Sequence, residues 1–205
     1  MQYWFKYYQD LLRENRAWLI KAAAAAFFWL AIGALTGAVR PDLLDKLLPI
    51  LEDFFRDVLG EEGLRTDFET VWDIARNNFQ SLVVMLFGGV VLGILPAIGL
   101  ILNFFILGFL LSSMLAAEGA SGLFVFAVTV VPHGILEIPA LVLAAAFGIK
   151  LGLFWRRAEP GVLWKNFSRR LKENFMLLPA FFVFLLAAAV IEVFVTGALS
   201  AWLFE

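Results

Sequence analysis

The sequence predicts an all-α, polytopic transmembrane helix bundle of about five spans that forms one domain over residues 1–205. Its composition is 62% hydrophobic and 17% charged, with a mean hydropathy of +0.86, which is outside the range of soluble domains. The apolar residues also fall into four stretches of at least 23 residues, and about 20 residues suffice to cross a bilayer core. The chain has no cysteine, which excludes disulfides and cysteine metal sites.

The length of each apolar stretch sets the number of spans it contains. Residues 17–39 predict one span and residues 176–203 another. Residues 81–117 are too long for one helix and contain Pro96-Ala97-Ile98-Gly99 near their middle, which predicts a turn between two short antiparallel spans. Residues 122–155 predict a fourth span that Pro132 breaks or kinks. A six-span alternative divides that stretch completely.

The distribution of charge predicts the orientation. Residues 40–78 carry five basic and ten acidic side chains. The region before the first span and the region after the fourth span are instead rich in basic residues. The basic residues concerned are Lys6, Arg13, Arg16 and Lys21 before the first span, and Arg156, Arg157, Lys165, Arg169, Arg170 and Lys172 after the fourth. The positive-inside rule therefore predicts a multi-pass protein of the cell membrane with a cytoplasmic N-terminus and an external C-terminus.

The connecting segments are predicted to be amphipathic helices. In the external segment at about 40–78, apolar residues recur at helical spacing from Leu43 to Val58, and a second such stretch begins at Phe68. A turn at 60–63 between them predicts a helical hairpin. Residues 1–16 and the stretch around Trp164 predict interfacial helices on membrane lipids.

Glycine spacing predicts close packing between helices. Six glycines lie at or near the four-residue spacing that lets backbones approach: Gly88, Gly89, Gly93, Gly108, Gly148 and Gly152. Such faces indicate a homo-oligomer.

The octapeptide Pro132–Pro139 predicts a polar site inside the membrane. It holds the only histidine, His133, with Glu137 four residues later, and each ionisable group buried in hydrocarbon costs about 2.5–3.5 kcal/mol on insertion scales. At 1.5 Å per residue His133 lies near the midplane. Pro132, Gly134 and Pro139 are the candidate helix break. The other polar residues predicted at this site are Asn103, Glu192, Asn77 and Asn78.

Several roles for this site remain open on the sequence alone. His133 could cap the broken helix and bond Glu137 or Asn103, or it could form a protonatable pair with Glu137 on a solute or ion path. A zinc site would need Glu192, Asn103 or a second subunit to supply further ligands. The sequence offers no placed nucleophile, cofactor motif or nucleotide loop, so we expect no enzyme activity, no metal, no cofactor and no nucleic-acid partner.

Three elements in order resemble a known family. Asn77-Asn78-Phe79 opens a glycine-rich span, Asn103 precedes Gly108, and Pro-His-Gly-x-x-Glu at 132–137 leads into an alanine-rich helix ending at Gly148. From about residue 70 onward the chain resembles the stage II sporulation protein M family of integral membrane proteins. In spore formers the resemblance implies a scaffold that recruits peptidoglycan-degrading partners.

Together these inferences predict a membrane-embedded assembly factor or scaffold for envelope protein partners, with a sporulation role where the source forms spores. The alternative is a small transporter or channel subunit that uses His133 and Glu137 as an intramembrane proton or solute site.

Overall fold

The computed structural model describes residues 2–43, 66–156 and 161–204, together with Lys46 and Pro49. Every regular element in this part of the chain is a helix, which confirms the predicted all-α class. The α-helices are α1 (Gln2–Glu14), α2 (Arg16–Val39), α3 (Phe68–Gly88), α4 (Ile94–Glu118), α5 (Ala120–Gly152), α6 (Leu163–Val190) and α7 (Gly197–Phe204). A 3-10 turn, Pro41–Leu43, follows α2, and a π-helical turn, Ile191–Thr196, joins α6 to α7.

The helices run back and forth between two ends of the bundle. Four helical segments are long and apolar enough to cross a membrane: α2, α4, α5 and Leu163–Leu199. Helix α3 is more polar, but its 21 residues span about 31 Å. It starts beside Phe194, whose ring centroid lies 5.5 Å from that of Phe68, and it ends against the backbone of Gly148. The described chain therefore runs five times between the two ends of the bundle, and four of these segments are long and apolar enough to cross a membrane.

We call one end of the bundle the basic end. It contains the start of α2, the turn at residues 89–93, the end of α5 and the start of α6. Helix α1 is attached there, because the Tyr8 hydroxyl donates to the Met176 carbonyl at 2.8 Å and Leu11 is buried. The opposite end contains the end of α2 and the junctions from α4 to α5 and from α6 to α7.

Helix α5 is the centre of the fold. It contacts α2, α3, α4 and α6, and its alanine-rich part is buried at Ala140 and from Ala144 to Phe147. Small side chains on this helix let four neighbours approach closely. A residue that points inward from the middle of α5 is consequently surrounded by protein.

The turn between α3 and α4 lies earlier than the sequence predicts. The predicted turn at residues 96–99 is wrong, because α4 already begins at Ile94 and Pro96 occupies its first turn. A proline is favourable at that position because the first amides of a helix have no intrahelical partner. The chain reverses at residues 89–93, where Leu92 and Gly93 have positive φ values of 54° and 73°. Glycine adopts this left-handed conformation without the strain that a Cβ causes.

The predicted break at Pro132 is also wrong. Helix α5 continues from Ala120 to Gly152 through both Pro132 and Pro139, so of a break and a kink only a kink is compatible with the structure. The six-span alternative, which needs the break, is wrong as well. Prolines are tolerated inside membrane helices where neighbouring groups satisfy the freed backbone.

Close glycine packing is found at most of the predicted positions. A Cβ on Gly108 would lie 2.0 Å from the Leu30 carbonyl oxygen of α2. Gly88 differs, since it faces the Leu95 side chain instead of a backbone. The structure adds Gly33 and Gly37 of α2, which pack on the backbone of α4. Their Gly-x-x-x-Gly spacing was a signal for this contact.

The remaining sequence predictions concern the connecting segments. Most of the predicted external hairpin, including residues 50–65 and its turn at 60–63, lies outside the described residues. Its second stretch is the first half of α3, with Asp67 as N-cap accepting from the Thr70 amide at 2.8 Å. The stretch around Trp164 is the first part of α6 and not a separate helix.

Candidate functional site

Three of the polar residues singled out in the sequence, Asn78, Asn103 and Glu137, lie at similar depth in the middle of the bundle. Glu137 is 17 residues from the start of α5 and 15 from its end, or about 25 and 22 Å along the helix axis. Counting from the basic end, Asn78 of α3 is 11 residues from Gly89 and Asn103 of α4 is 10 from Gly93. Both therefore reach within a few Å of the depth of Glu137.

Glu137 is hydrogen-bonded from helix α3 and has a second carboxylate in its surroundings. The Asn78 side-chain amide donates to its Oε1 at 2.6 Å, across 59 residues of sequence. Glu192, in the π-helical turn, lies close enough for the two carboxylates to interact electrostatically. Two neighbouring carboxylates away from water resist ionising together, so one of them tends to keep its proton. Single π-helical turns within helices are frequent at functional sites, because they reposition side chains.

His133 lies one helical turn from Glu137 on the same side of α5, since residues four apart share a helix face. Its Nδ1 is buried and has no hydrogen-bond partner among the described residues. Neither Glu137 nor Asn103 bonds the imidazole, although the sequence suggested both. Buried polar groups that serve only to hold a fold are almost always satisfied. An unpartnered imidazole in this position is free to bind or to exchange a proton.

Two adjoining cavities open onto these side chains. The first has a volume of about 150 Å³ and is lined by His133, Glu137 and Asn103 with apolar neighbours from α4 and α5. The second, of about 580 Å³, extends to Asn77, Asn78, Gln80 and Ser81 of α3. They share Asn103, Glu137 and Leu141. We call these two adjoining cavities together the central groove.

The central groove is open towards the side of the bundle. Asn103, Gln80 and Ser81 are exposed, and Asn103 donates only to the Gly99 carbonyl of its own helix, at 2.8 Å. Exposed polar side chains at membrane depth are costly in lipid. This side of the groove is therefore suited to a water-filled cavity or to contact with another protein.

The donor set does not form a metal centre by itself. Among the described residues, no three side chains of histidine, aspartate or glutamate group closely enough to hold a metal ion. Glu192 approaches Glu137 but does not line either cavity. The groove thus offers one imidazole, one carboxylate and several amides, which suit protons, small polar solutes or hydrated cations.

A second polar cluster lies near the basic end, and sequence reasoning missed it. Lys150 of α5 is 7% exposed. Its ammonium group is paired with Glu173 of α6 and donates to the Asn15 side-chain oxygen at 2.5 Å. Arg170 donates to the Lys150 backbone carbonyl. This cluster ties the start of α2, the end of α5 and the start of α6 together.

Asn174 extends the same cluster to α3. It is 1% exposed, and its amide donates to the Leu86 carbonyl at 2.7 Å. The signal in the sequence was a lysine at the end of an apolar run, but the partners of Lys150 lie 135 and 23 residues away. Spacing along the chain could not identify them.

Comparison with known proteins places most of the chain in one family. The family model described as stage II sporulation protein M matches residues 20–197, which include most of α2, all of α3 to α6 and the central groove. A protein of Methanocaldococcus jannaschii, described only as uncharacterized, is 28% identical over 136 residues, covering 63% of this chain and 72% of its own length. No solved structure matches this chain.

The family match covers the asparagines of α3, Asn103 of α4 and the Pro-His-Gly-x-x-Glu element of α5, and these elements carry the resemblance in the sequence. The chain is therefore a member of the stage II sporulation protein M family of membrane proteins.

Proposed function

We propose that this chain is a membrane-embedded transport subunit that moves a proton or a small polar solute through the central groove. The carrying observation is the buried, unpartnered Nδ1 of His133, which lines a cavity shared with Glu137. A purely structural histidine would use that nitrogen in a hydrogen bond. The proposal assigns no catalytic activity to the chain.

The groove has the parts that a proton or solute path requires. Glu137 supplies a carboxylate at the middle of the bundle, His133 supplies an imidazole, and Asn78 positions Glu137. Titratable side chains inside membrane helices commonly mark such paths. The π-helical turn at Glu192 adds a position where the last helix can change its winding.

Proton flux through the full chain in proteoliposomes tests this proposal. We expect proteoliposomes containing internal pyranine to acidify when a pH gradient and a potassium diffusion potential are imposed, and Glu137→Gln to lower the rate at least about tenfold. Glu118→Gln is the matched control, since Glu118 is exposed at the end of α4 and away from the groove. A wild-type rate equal to that of empty liposomes would contradict proton movement.

The orientation is a separate proposal, with the basic end and N-terminus in the cytoplasm and the C-terminus outside. Because the chain has no cysteine, single introduced cysteines report their side directly. In intact cells, an impermeant maleimide should label Glu118→Cys and Asp42→Cys, whereas Gln9→Cys and Ser168→Cys should react only after permeabilisation. The reverse pattern would show the opposite orientation.

The exposed polar side of the groove favours a second candidate, an assembly factor or scaffold for envelope proteins. Gln80, Ser81 and Asn103 would then contact a second copy of the chain or a partner protein. This candidate predicts that Asn103→Leu reduces self-association or partner capture, measured by mass photometry and co-purification. It also predicts no flux through the wild-type chain, which separates it from transport.

A further inference from the structure

A pocket rich in basic side chains opens at the basic end, far from the central groove. We call it the basic pocket. It has a volume of about 410 Å³ and is lined by Trp18, Lys21, Leu153, Arg156, Asn166, Arg169 and Arg170. Four of these seven side chains are cations and none is a carboxylate. A concave surface lined by charges of one sign concentrates ions of the opposite sign, here anions.

Glu173, whose carboxylate lies near the basic pocket, is already paired with another cation. Glu173 interacts electrostatically with Arg170, but it is paired with Lys150 and its side chain is only 12% exposed. Arg156 and Arg169 have no ion-pair partner in the described part of the chain. The charges of Arg156 and Arg169 in the pocket are consequently not neutralised by a carboxylate of the described residues.

Arg170 is fixed in place with a donor still free. One of its terminal nitrogens donates to the Lys150 carbonyl, whereas its Nε is buried and lacks a partner among the described residues. Asn166 lies one turn earlier on the same face of α6. A guanidinium held in this way is suited to phosphate oxygens, which accept several N–H groups at once.

The surroundings place the basic pocket at the level of lipid headgroups. Trp155 and Trp164, at the adjacent helix ends, are 50% and 75% exposed. The Lys21 ammonium lies 5.4 Å from the centroid of the Trp18 ring, within the pocket. Tryptophan and basic residues gather at the membrane–water interface, where ring and headgroup meet.

We propose that the basic pocket binds the phosphate of an anionic phospholipid headgroup, with Arg156, Arg169 and Arg170 as its donors. The interfacial tryptophans favour a lipid as the source of the phosphate over a free ion. The site is independent of the central groove, so it stands whether or not the chain transports a solute.

The test measures ligand protection of the full chain in neutral detergent. Dioleoylphosphatidylglycerol, dioleoylphosphatidylcholine and inorganic phosphate are each titrated, and the thermal unfolding midpoint reports binding to the folded state. The variant Arg156→Gln/Arg169→Gln is compared with Lys165→Gln/Lys172→Gln. The control lysines are exposed on α6 and do not line the pocket, and both variants remove two positive charges.

We expect phosphatidylglycerol to raise the midpoint, and phosphatidylcholine and inorganic phosphate to raise it less at equal concentration. The arginine variant should bind phosphatidylglycerol at least about tenfold more weakly, whereas the lysine variant stays within about twofold of wild type. Equal losses in both variants would reduce the effect to general surface charge and overturn the proposal. Protection by inorganic phosphate without any by lipid would overturn the lipid source.

Discussion

Replacing Lys150 by methionine should lower the free energy of unfolding by about 3–5 kcal/mol, which is the usual cost of removing one partner of a buried ion pair. The substitution leaves the Glu173 carboxylate and the Asn15 side-chain oxygen without their donor. Both are enclosed by α2, α5 and α6, so water does not replace the lost contacts cheaply. Thermal unfolding in detergent should show a fall in midpoint on the order of 10 °C.

A double variant separates charge burial from packing. Lys150→Met combined with Glu173→Leu removes both charges, and it should recover most of the stability lost in the single variant. Lys165→Met is the matched control, because Lys165 is exposed and such changes stay within about 0.5 kcal/mol. If the losses at positions 150 and 173 simply add, then the two side chains do not form a coupled pair.

The spans could be predicted because hydrocarbon imposes strict rules on length and polarity. A membrane helix needs about 20 apolar residues, and charge asymmetry orders the ends. These rules predicted the passes of α2, α4 and α5, and the amphipathic start of α3. They did not place the chain reversal at residues 89–93, because proline is common both in reverse turns and in the first turn of a helix. Pro96 lies in the first turn of α4.

The central groove was predictable only in part. His133 and Glu137 share a face of α5 because of their four-residue spacing, which the sequence contains. That Asn78 bonds Glu137 depends on how α3 packs against α5, and no local pattern encodes this contact. The Lys150 cluster was missed for the same reason, since its partners lie on α2 and α6. Spacing along the chain predicts which residues share a face of a helix. Which helix faces contact each other depends on how the whole bundle packs.

The second large effect is expected at Gly148, where α5 touches α3. A Cβ at this position would lie 2.1 Å from the Met85 carbonyl oxygen and 2.9 Å from the Pro96 side chain. Backbone and proline ring cannot move aside as a flexible side chain would, so Gly148→Ala should cost about 1–3 kcal/mol. This loss should appear even though alanine favours a helix over glycine by about 1 kcal/mol.

Gly134 on the same helix provides the control. The nearest atom to a Cβ there is Ile138 Cδ1 at 3.4 Å, an ordinary contact, so Gly134→Ala should be neutral or stabilising by up to about 1 kcal/mol. Thermal unfolding of both variants in one detergent compares them directly. Greater damage from Gly134→Ala than from Gly148→Ala would contradict the packing of α5 on α3.

The Gly148→Ala substitution should also change the central groove, because it displaces α3 and α5. Met85 is seven residues from Asn78 on α3, and Gly148 is 11 from Glu137 on α5, so a Cβ that forces the two helices apart also moves the donor and acceptor of the 2.6 Å Asn78–Glu137 bond. Gly148→Ala should therefore lower proton flux along with stability. Flux that survives Gly148→Ala at the wild-type rate would show that the Asn78 contact is not needed to position Glu137.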